Sequence, residues 1–158
     1  MAFYAMVLDP RPPFKPMQTK ILNRLKEIAS NLPEDIREVI KNLKDWEIKC
    51  SHITVYYGNL KDMSIAMIDF IRNTKFKMIF EITDIGMRQG VLAVRVEPIL
   101  RKGEDFVTSS KFPHITIAVK DAAPVLANSI TEWTDVRQYF DHARHGGFYI
   151  SGRLERIH

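Results

Sequence analysis

Two short stretches carry the same pair of reactive side chains in the same setting: "CSHITVYYG" holds His52 and Thr54, and "FPHITIAVK" holds His114 and Thr116. An unperturbed imidazole titrates near ~6.5, so at neutral pH one ring can take a proton while a second, protonated, gives one up. Hydroxyls can donate hydrogen bonds to the non-bridging oxygens of a phosphate, where charge builds in the transition state. Two imidazoles and two hydroxyls around one phosphorus would therefore suit hydrolysis of a phosphodiester by acid and base in concert, each role worth about 10²–10⁴ in rate. That chemistry needs no metal and no other cofactor. A lone His-x-Thr reads more simply as a strand histidine bonded to a neighbour. With five histidines and eight threonines among 158 residues, random placement gives about 0.25 such matches, and two or more roughly 3% of the time, so the repeat favours function.

Strands must position these groups. Side chains alternate between the faces of a strand with period two, which puts His52 and Thr54 on one side and Ile53 and Val55 on the other, and likewise His114 and Thr116 against Ile115 and Ile117. The same parity assigns Tyr56 to the face of His52, where its ring could stack on a nucleobase, or could equally sit half-buried at a sheet edge. Tyr4, in the first strand, and Phe112, of the same parity as His114, are further candidates for binding substrate. Tyr149, near the closing strand, is a weaker one. Arg88, Arg95 and Lys111 could add positive potential, although exposed cations usually only solvate a surface. Cys50 shares the parity of His52 but has no supporting motif, and a small buried residue is the simpler reading.

Around the motifs the pattern is α+β. "AFYAMVL" reads as a buried strand, followed by the breaker "DPRPPFKP" with its four prolines. From Met17 to Leu32, and again over Ile36, Val39, Ile40 and Leu43, apolar residues recur at helical spacing, and a third helix is expected from about Ser64 to Asn73. "FKMIFEITDIGM" and "VLAVRVEP", separated by "RQG", form a hairpin. "RKGEDFVTSSKFP" is a polar loop, a helix is expected from Ala127 to about Phe140, and "FYISGRLERI" closes the chain as a strand. Each half thus holds strands, helix and one His-x-Thr unit.

No linker or composition shift divides residues 1–158, so a single domain is expected. One cysteine, Cys50, excludes an internal disulfide framework, and no basic leader followed by an apolar run opens the sequence, so a cytoplasmic protein is expected. The apolar runs are well short of the ~20 residues that span a bilayer, which sets a membrane aside. The net charge of +4 is compatible with an anionic ligand without requiring one. "DHARH" places His142 and His145 beside Asp141 at a spacing open to metal ligands, but no second cluster completes a site. A polar helix end, with imidazoles at the negative pole, is the expectation there.

Two H-x-T-φ units (φ apolar) on separate strands resemble the signature of the 2H phosphoesterases. Within that superfamily "GVLAVRVEP" before "FPHITIAV", then "PVLAN" and the closing "FYISGRLERI", look most like the cyclic phosphodiesterase domain of fungal and plant tRNA ligases. The ligase and kinase portions of those proteins have no counterpart here, and small phage enzymes that destroy cyclic oligonucleotide defence signals share this size. The resemblance implies a two-lobed fold, with antiparallel sheets around a central cleft and helices outside. It implies His52 and His114 as the catalytic pair, with Thr54 and Thr116 on the phosphate. In relatives that leave a 2′-phosphate the first histidine, here His52, is the acid and the second, here His114, the base, although either imidazole can play either part. The partners implied are RNA with a cyclic phosphate end, or a cyclic nucleotide or oligonucleotide, acted on by a monomer. Two other functions stay open: cleavage of 3′–5′ bonds in cyclic or linear oligonucleotides, and a module that binds RNA or a nucleotide without turning it over.

Overall fold

The structure, a computed structural model, describes residues 1–9, 16–140 and 147–158. The described residues form three α-helices and eight strands, an α+β fold. Helix α1 (Met17–Ile28) starts after Pro16 and buries Ile21, Leu25 and Ile28, the stripe expected of its spacing. It stops short of Leu32 because Pro33 follows, and the residue before a proline is pushed out of the helical region; Leu32 is extended, with φ −97° and ψ 159°. Helix α2 (Glu34–Lys41) carries Glu34 and Asp35 in its first turn and Lys41 in its last, matching its dipole, and buries Ile36 and Ile40. Helix α3 (Ile65–Asn73) is capped by Ser64, whose hydroxyl accepts the Met67 N–H at 3.1 Å. None of the described helices is long and apolar enough to cross a membrane.

The strands are β1 (Ala2–Leu8), β2 (Glu47–Ile48), β3 (His52–Gly58), β4 (Met78–Arg88), β5 (Val91–Ile99), β6 (His114–Val119), β7 (Trp133–Asp135) and β8 (Tyr149–Arg156). They make one antiparallel sheet in the order β2-β6-β5-β4-β8-β1-β3, with β7 paired to β4. The β4–β5 hairpin turns on Gln89 and Gly90, both at positive φ (38° and 84°), as a two-residue turn that matches strand twist demands. A Cβ at Gly90 would run into the Lys120 carbonyl, so this turn is held against the end of β6.

Residues opposite one another in an antiparallel pair share a face. Met6, Ile53, Phe80, Ile82, Val94, Ile115 and Ile150 lie on the face that packs with the apolar stripes of the helices into one core. Their partners in alternation, including Phe3, Val7, Ser151, Arg153, Glu81, Glu97 and Arg95, line the other face, part of which, at Val91, Ala93 and Val119, is covered by Ala127 and Ile130.

One expected element is absent. Instead of a helix from Ala127 to Phe140, the chain makes a 3-10 turn (Pro124–Ser129), strand β7, and a second 3-10 turn (Arg137–Tyr139). The β-branched run around Trp133 pairs with β4 where Gly86 lets it approach, and Asp135 ends the strand by accepting the Arg137 N–H at 2.8 Å. "DHARH", with Asp141, His142 and His145, lies outside the described residues, as does most of the proline-rich breaker.

A Cβ added at Gly86 would sit 2.8 Å from side-chain carbons of Ile130 and Trp133 and 2.9 Å from the Glu132 carbonyl. Gly86→Ala is therefore expected to destabilise the protein by about 1–3 kcal/mol, read as a lower urea midpoint; an unchanged midpoint would show that β7 does not press on β4.

Candidate active site

The two motif strands meet through residues 47–50. Strand β2 pairs with β6 in a register that sets Glu47 opposite Val119 and Ile48 opposite Ala118. Carried forward, that register sets Cys50 opposite Thr116, where the Cys50 N–H donates to the Thr116 carbonyl at 2.8 Å. At Cys50 the backbone takes a positive φ of 35° and swings away. From Ser51 on, the chain bonds to β1 instead: the Leu8 N–H donates to the Ser51 carbonyl at 2.9 Å, and Val7 lies opposite His52. His52 and His114 thus each open their strand just past this tie, within reach of each other's charge.

Both strands then do the same thing. In β3, Thr54 faces Ala5 and Tyr56 faces Tyr4, so Val55 is an extra residue; in β6, Thr116 faces Ala93 and Ala118 faces Leu92, so Ile117 is extra. Each H-x-T-φ unit carries a β-bulge at its φ position. Up to the bulge, His and Thr point to the open face. Beyond it the parity reverses.

Two of the expected substrate-binding residues lie off the histidine face, Tyr56 through that reversal and Tyr4 through the plain alternation of β1. Tyr56 is turned into the core, 8% exposed, with its hydroxyl donating to the Asn59 carbonyl at 2.6 Å. Tyr4, opposite it, packs against the core with Arg156 over its ring at 5.7 Å. Tyr57 and Phe3 take their place on the histidine face: Phe3 lies edge-on to His52 with centroids 5.3 Å apart and to Tyr57 at 5.6 Å. Phe112 does stand beside its histidine, 5.5 Å from the His114 ring, and Trp133 is 5.3 Å beyond it. Arg95, opposite His114 on β5, lies over Phe112 at 5.0 Å and over Trp133 at 5.7 Å. Arg88 is drawn away to the Ser129 carbonyl, the Lys111 backbone is tied to Asn128, and Tyr149 sits on β8, opposite Glu81. Phe3, Tyr57 and Trp133 were not legible as site residues. A bulge leaves no mark in alternation, and Trp133 falls in the segment expected to be helical.

Each ring is held at Nδ1. The His114 Nδ1 lies 2.9 Å from the Phe112 carbonyl, which can only accept, so Nδ1 bears the proton and Nε2 keeps the lone pair in the neutral ring. His52 Nδ1 is 2.9 Å from the Ser51 hydroxyl. Among the described residues, neither Nε2 and neither threonine hydroxyl has a hydrogen-bond partner in the protein. The backbone of Thr54 is engaged instead, its carbonyl accepting from the Thr108 hydroxyl at 2.7 Å, and the Ser109 N–H donates to Val55 at 2.8 Å, so the loop before β6 braces β3.

Burial holds the His52 pKa below its ordinary 6.5, and the charges of His114 and Lys49 push it the same way. Burial also lowers that of His114, 8% exposed, against an opposing pull from the Phe112 carbonyl. Both rings therefore rest neutral near pH 7, and each can take up a proton once an anion arrives. Cys50 is 1% exposed and burial pushes its thiol up to about 12, so it is no nucleophile. Among the described residues, no three His, Cys, Asp or Glu side chains are grouped to hold a metal. Comparison with protein-family models, curated proteins and solved structures finds no match.

Because His114 helps to lower the pKa of His52, His114→Gln is expected to raise it, read by NMR titration of the ring protons. A His52 pKa that does not move would place the rings beyond each other's field. The sign for the fold follows too. Groups whose folded pKa lies below the unfolded 6.5 contribute stability above that pH and lose it as pH falls through the folded values, so the wild type should lose stability on acidification below 6.5 and the double variant His52→Gln/His114→Gln should lose less.

Proposed function

We propose that the chain is a metal-independent phosphodiesterase of the 2H type, opening a 2′,3′-cyclic phosphate on an RNA end or a nucleotide to leave a 2′-phosphate. The observation that carries this reading is the tie of the two motif strands by the Cys50–Thr116 hydrogen bond, with His114 near enough for its charge to act on His52 and, among the described residues, both Nε2 atoms and both threonine hydroxyls unengaged. The matched bulges support a two-lobed arrangement, with one H-x-T-φ strand from each lobe.

In the step this implies, one imidazole takes a proton from water as its oxygen bonds to phosphorus. The other protonates the 3′ oxygen as the P–O3′ bond breaks. Thr54 and Thr116 donate to the non-bridging oxygens, where negative charge accumulates. The electrostatics suit His114 as the acid, since the Phe112 carbonyl favours its cation, whereas Lys49 and His114 both oppose a cation at His52. That is the reverse of the direction the resemblance implies. A second reading, cleavage of 3′–5′ bonds in cyclic or linear oligonucleotides, is favoured by the presence of aromatic rings beside both histidines rather than one.

With a nucleoside 2′,3′-cyclic phosphate in EDTA, turnover to a product with a free 3′-hydroxyl is expected, and His52→Ala and His114→Ala should each lower it by about 10²–10⁴. The double variant should be little worse than either single one, since the groups act as a unit. No turnover of any cyclic phosphate or oligonucleotide would leave only a binding module. Because both imidazoles lie below 6.5 in the free protein, kcat/KM should be bell-shaped with its maximum on the acid side of that pH. A flat profile would refute acid–base work by the pair.

An aryl phosphodiester, whose leaving group needs no proton, separates the roles. His114→Ala should lose much less on it than on the nucleotide, while His52→Ala should lose as much on both. The opposite pattern would restore His52 as the acid.

A further inference from the structure

Lys49 sits in the seam that joins the two motif strands. Ile48 and Cys50, on either side of it, both pack into the main core, so alternation turns Lys49 to the opposite face. The register gives the same answer: Glu47 lies opposite Val119, which belongs to the second core on the histidine face, and Lys49 follows Glu47 by two residues. The Lys49 N–H donates to the Ile117 carbonyl at 2.9 Å, next to Thr116, and His52 lies three residues further along its own chain. The side chain is thus rooted between the second threonine and the first histidine, and its charge reaches the His52 ring.

Among the described residues the ammonium meets one partner, Glu47, with Nζ 2.8 Å from Oε1. Both side chains are open to water, 38% exposed for Lys49 and 66% for Glu47, and an ion pair so placed holds little energy of its own. A lysine has three donors, so one carboxylate oxygen leaves two for another acceptor. In the empty protein the arrangement works against His52, because a second positive charge opposes protonation of its ring. A phosphate reverses that balance. As water loses its proton and bonds to phosphorus, a second negative charge gathers on the phosphoryl oxygens, and a phosphate monoester left behind carries about −1.5 to −2 near pH 7. Two neutral hydroxyls and one imidazolium fall short of that charge, and a cation beside Thr116 and His52 supplies the rest.

Resting on the phosphodiesterase reading, we propose that Lys49 is a phosphate-binding residue of the site, held by Glu47 when the site is empty and passed to a non-bridging phosphate oxygen when it is filled. Glu47 is then a competitor of the phosphate, and the contact favours species with two negative charges over the singly charged phosphodiester.

The test is binding of a nucleoside 2′-monophosphate at about pH 7.5, where the ligand is close to doubly charged. It is followed through the ring-proton NMR signals of His52 and His114, so that the shifts report this site. Lys49→Met should weaken binding about 5- to 30-fold, and Lys49→Arg, which keeps the charge, should recover most of the loss. Glu47→Gln should tighten binding about 2- to 5-fold, a sign that a merely structural pair does not give, and it should have no effect once Lys49 is Met. Thermal melting checks the fold of each variant, and Glu47→Gln, at an exposed position, still decides if Lys49→Met fails to fold. Unchanged affinity in Lys49→Met, weaker binding in Glu47→Gln, or a loss that Lys49→Arg does not recover would overturn the proposal. Turnover of a cyclic phosphate is assayed separately. Binding that depends on Lys49 without turnover would count against the phosphodiesterase reading alone, and turnover with binding indifferent to Lys49 would count against this proposal alone.

Discussion

One backbone hydrogen bond, from the Cys50 N–H to the Thr116 carbonyl at 2.8 Å, sets the distance between the two motifs. The chain from residue 47 to residue 58 is shared: its first part pairs with β6 and its second with β1, so it joins the two ends of the sheet order. The change of partner happens at Cys50, where φ is 35°. A non-glycine residue in the left-handed region costs of order 1–3 kcal/mol and persists only where its surroundings over-determine it. Here they do. Hydrogen bonds from Lys49 and Cys50 to β6, and from Leu8 to Ser51, fix both arms of the kink, and the small thiol fills a site that is 1% exposed. Released from that kink, β3 would continue along β6 rather than along β1.

The repeated motif is more than two polar residues in a strand. Thr54 and Thr116 each face an alanine, Ala5 and Ala93, and each is followed by a bulged apolar residue, Val55 and Ile117, both fully buried. The bulge adds one side chain to the core without shifting the histidine and threonine that precede it. It also reverses which residues face out beyond it. On β3 this exposes Tyr57; on β6 it brings Val119 onto the same face as Val91, where a small second core with Ala127 and Ile130 covers both. The two halves share a local design and differ in what covers it, which is why Tyr57 is exposed while Trp133 packs against the second core.

Much of this was legible in the chain. The helical stripes of α1 and α2, the third helix beginning at about Ser64, the hairpin turn in "RQG" and the common face of His52 with Thr54 and of His114 with Thr116 follow from short-range rules of period and turn chemistry. What was not legible depends on pairing between distant segments. A bulge is defined against a partner strand, so nothing in "HITVYYG" tells that Tyr57 rather than Tyr56 joins His52. The segment after Ala127 has apolar residues at spacings open to a helix, yet it becomes 3-10 turns and β7 because β4 offers an edge and Gly86 offers the room. Tertiary contact decided both cases against local expectation.

The histidines lack the partner that many catalytic imidazoles have. No carboxylate bonds to either ring among the described residues: a carbonyl holds one and a hydroxyl the other. A carboxylate would raise an imidazole pKa and keep the ring charged in the empty site. Here burial lowers both, and the charges of His114 and Lys49 lower His52 further, so a protonated pair is unfavourable without a negative ligand beside it. Under the proposed function a phosphodiester would bring that charge. Its arrival would raise both pKa values, and because Nδ1 of His114 already donates to a carbonyl, the added proton there would go to Nε2. Binding an anion and protonating the acid would then be one thermodynamic event, which requires only two rings that rest neutral and a phosphate that reaches both.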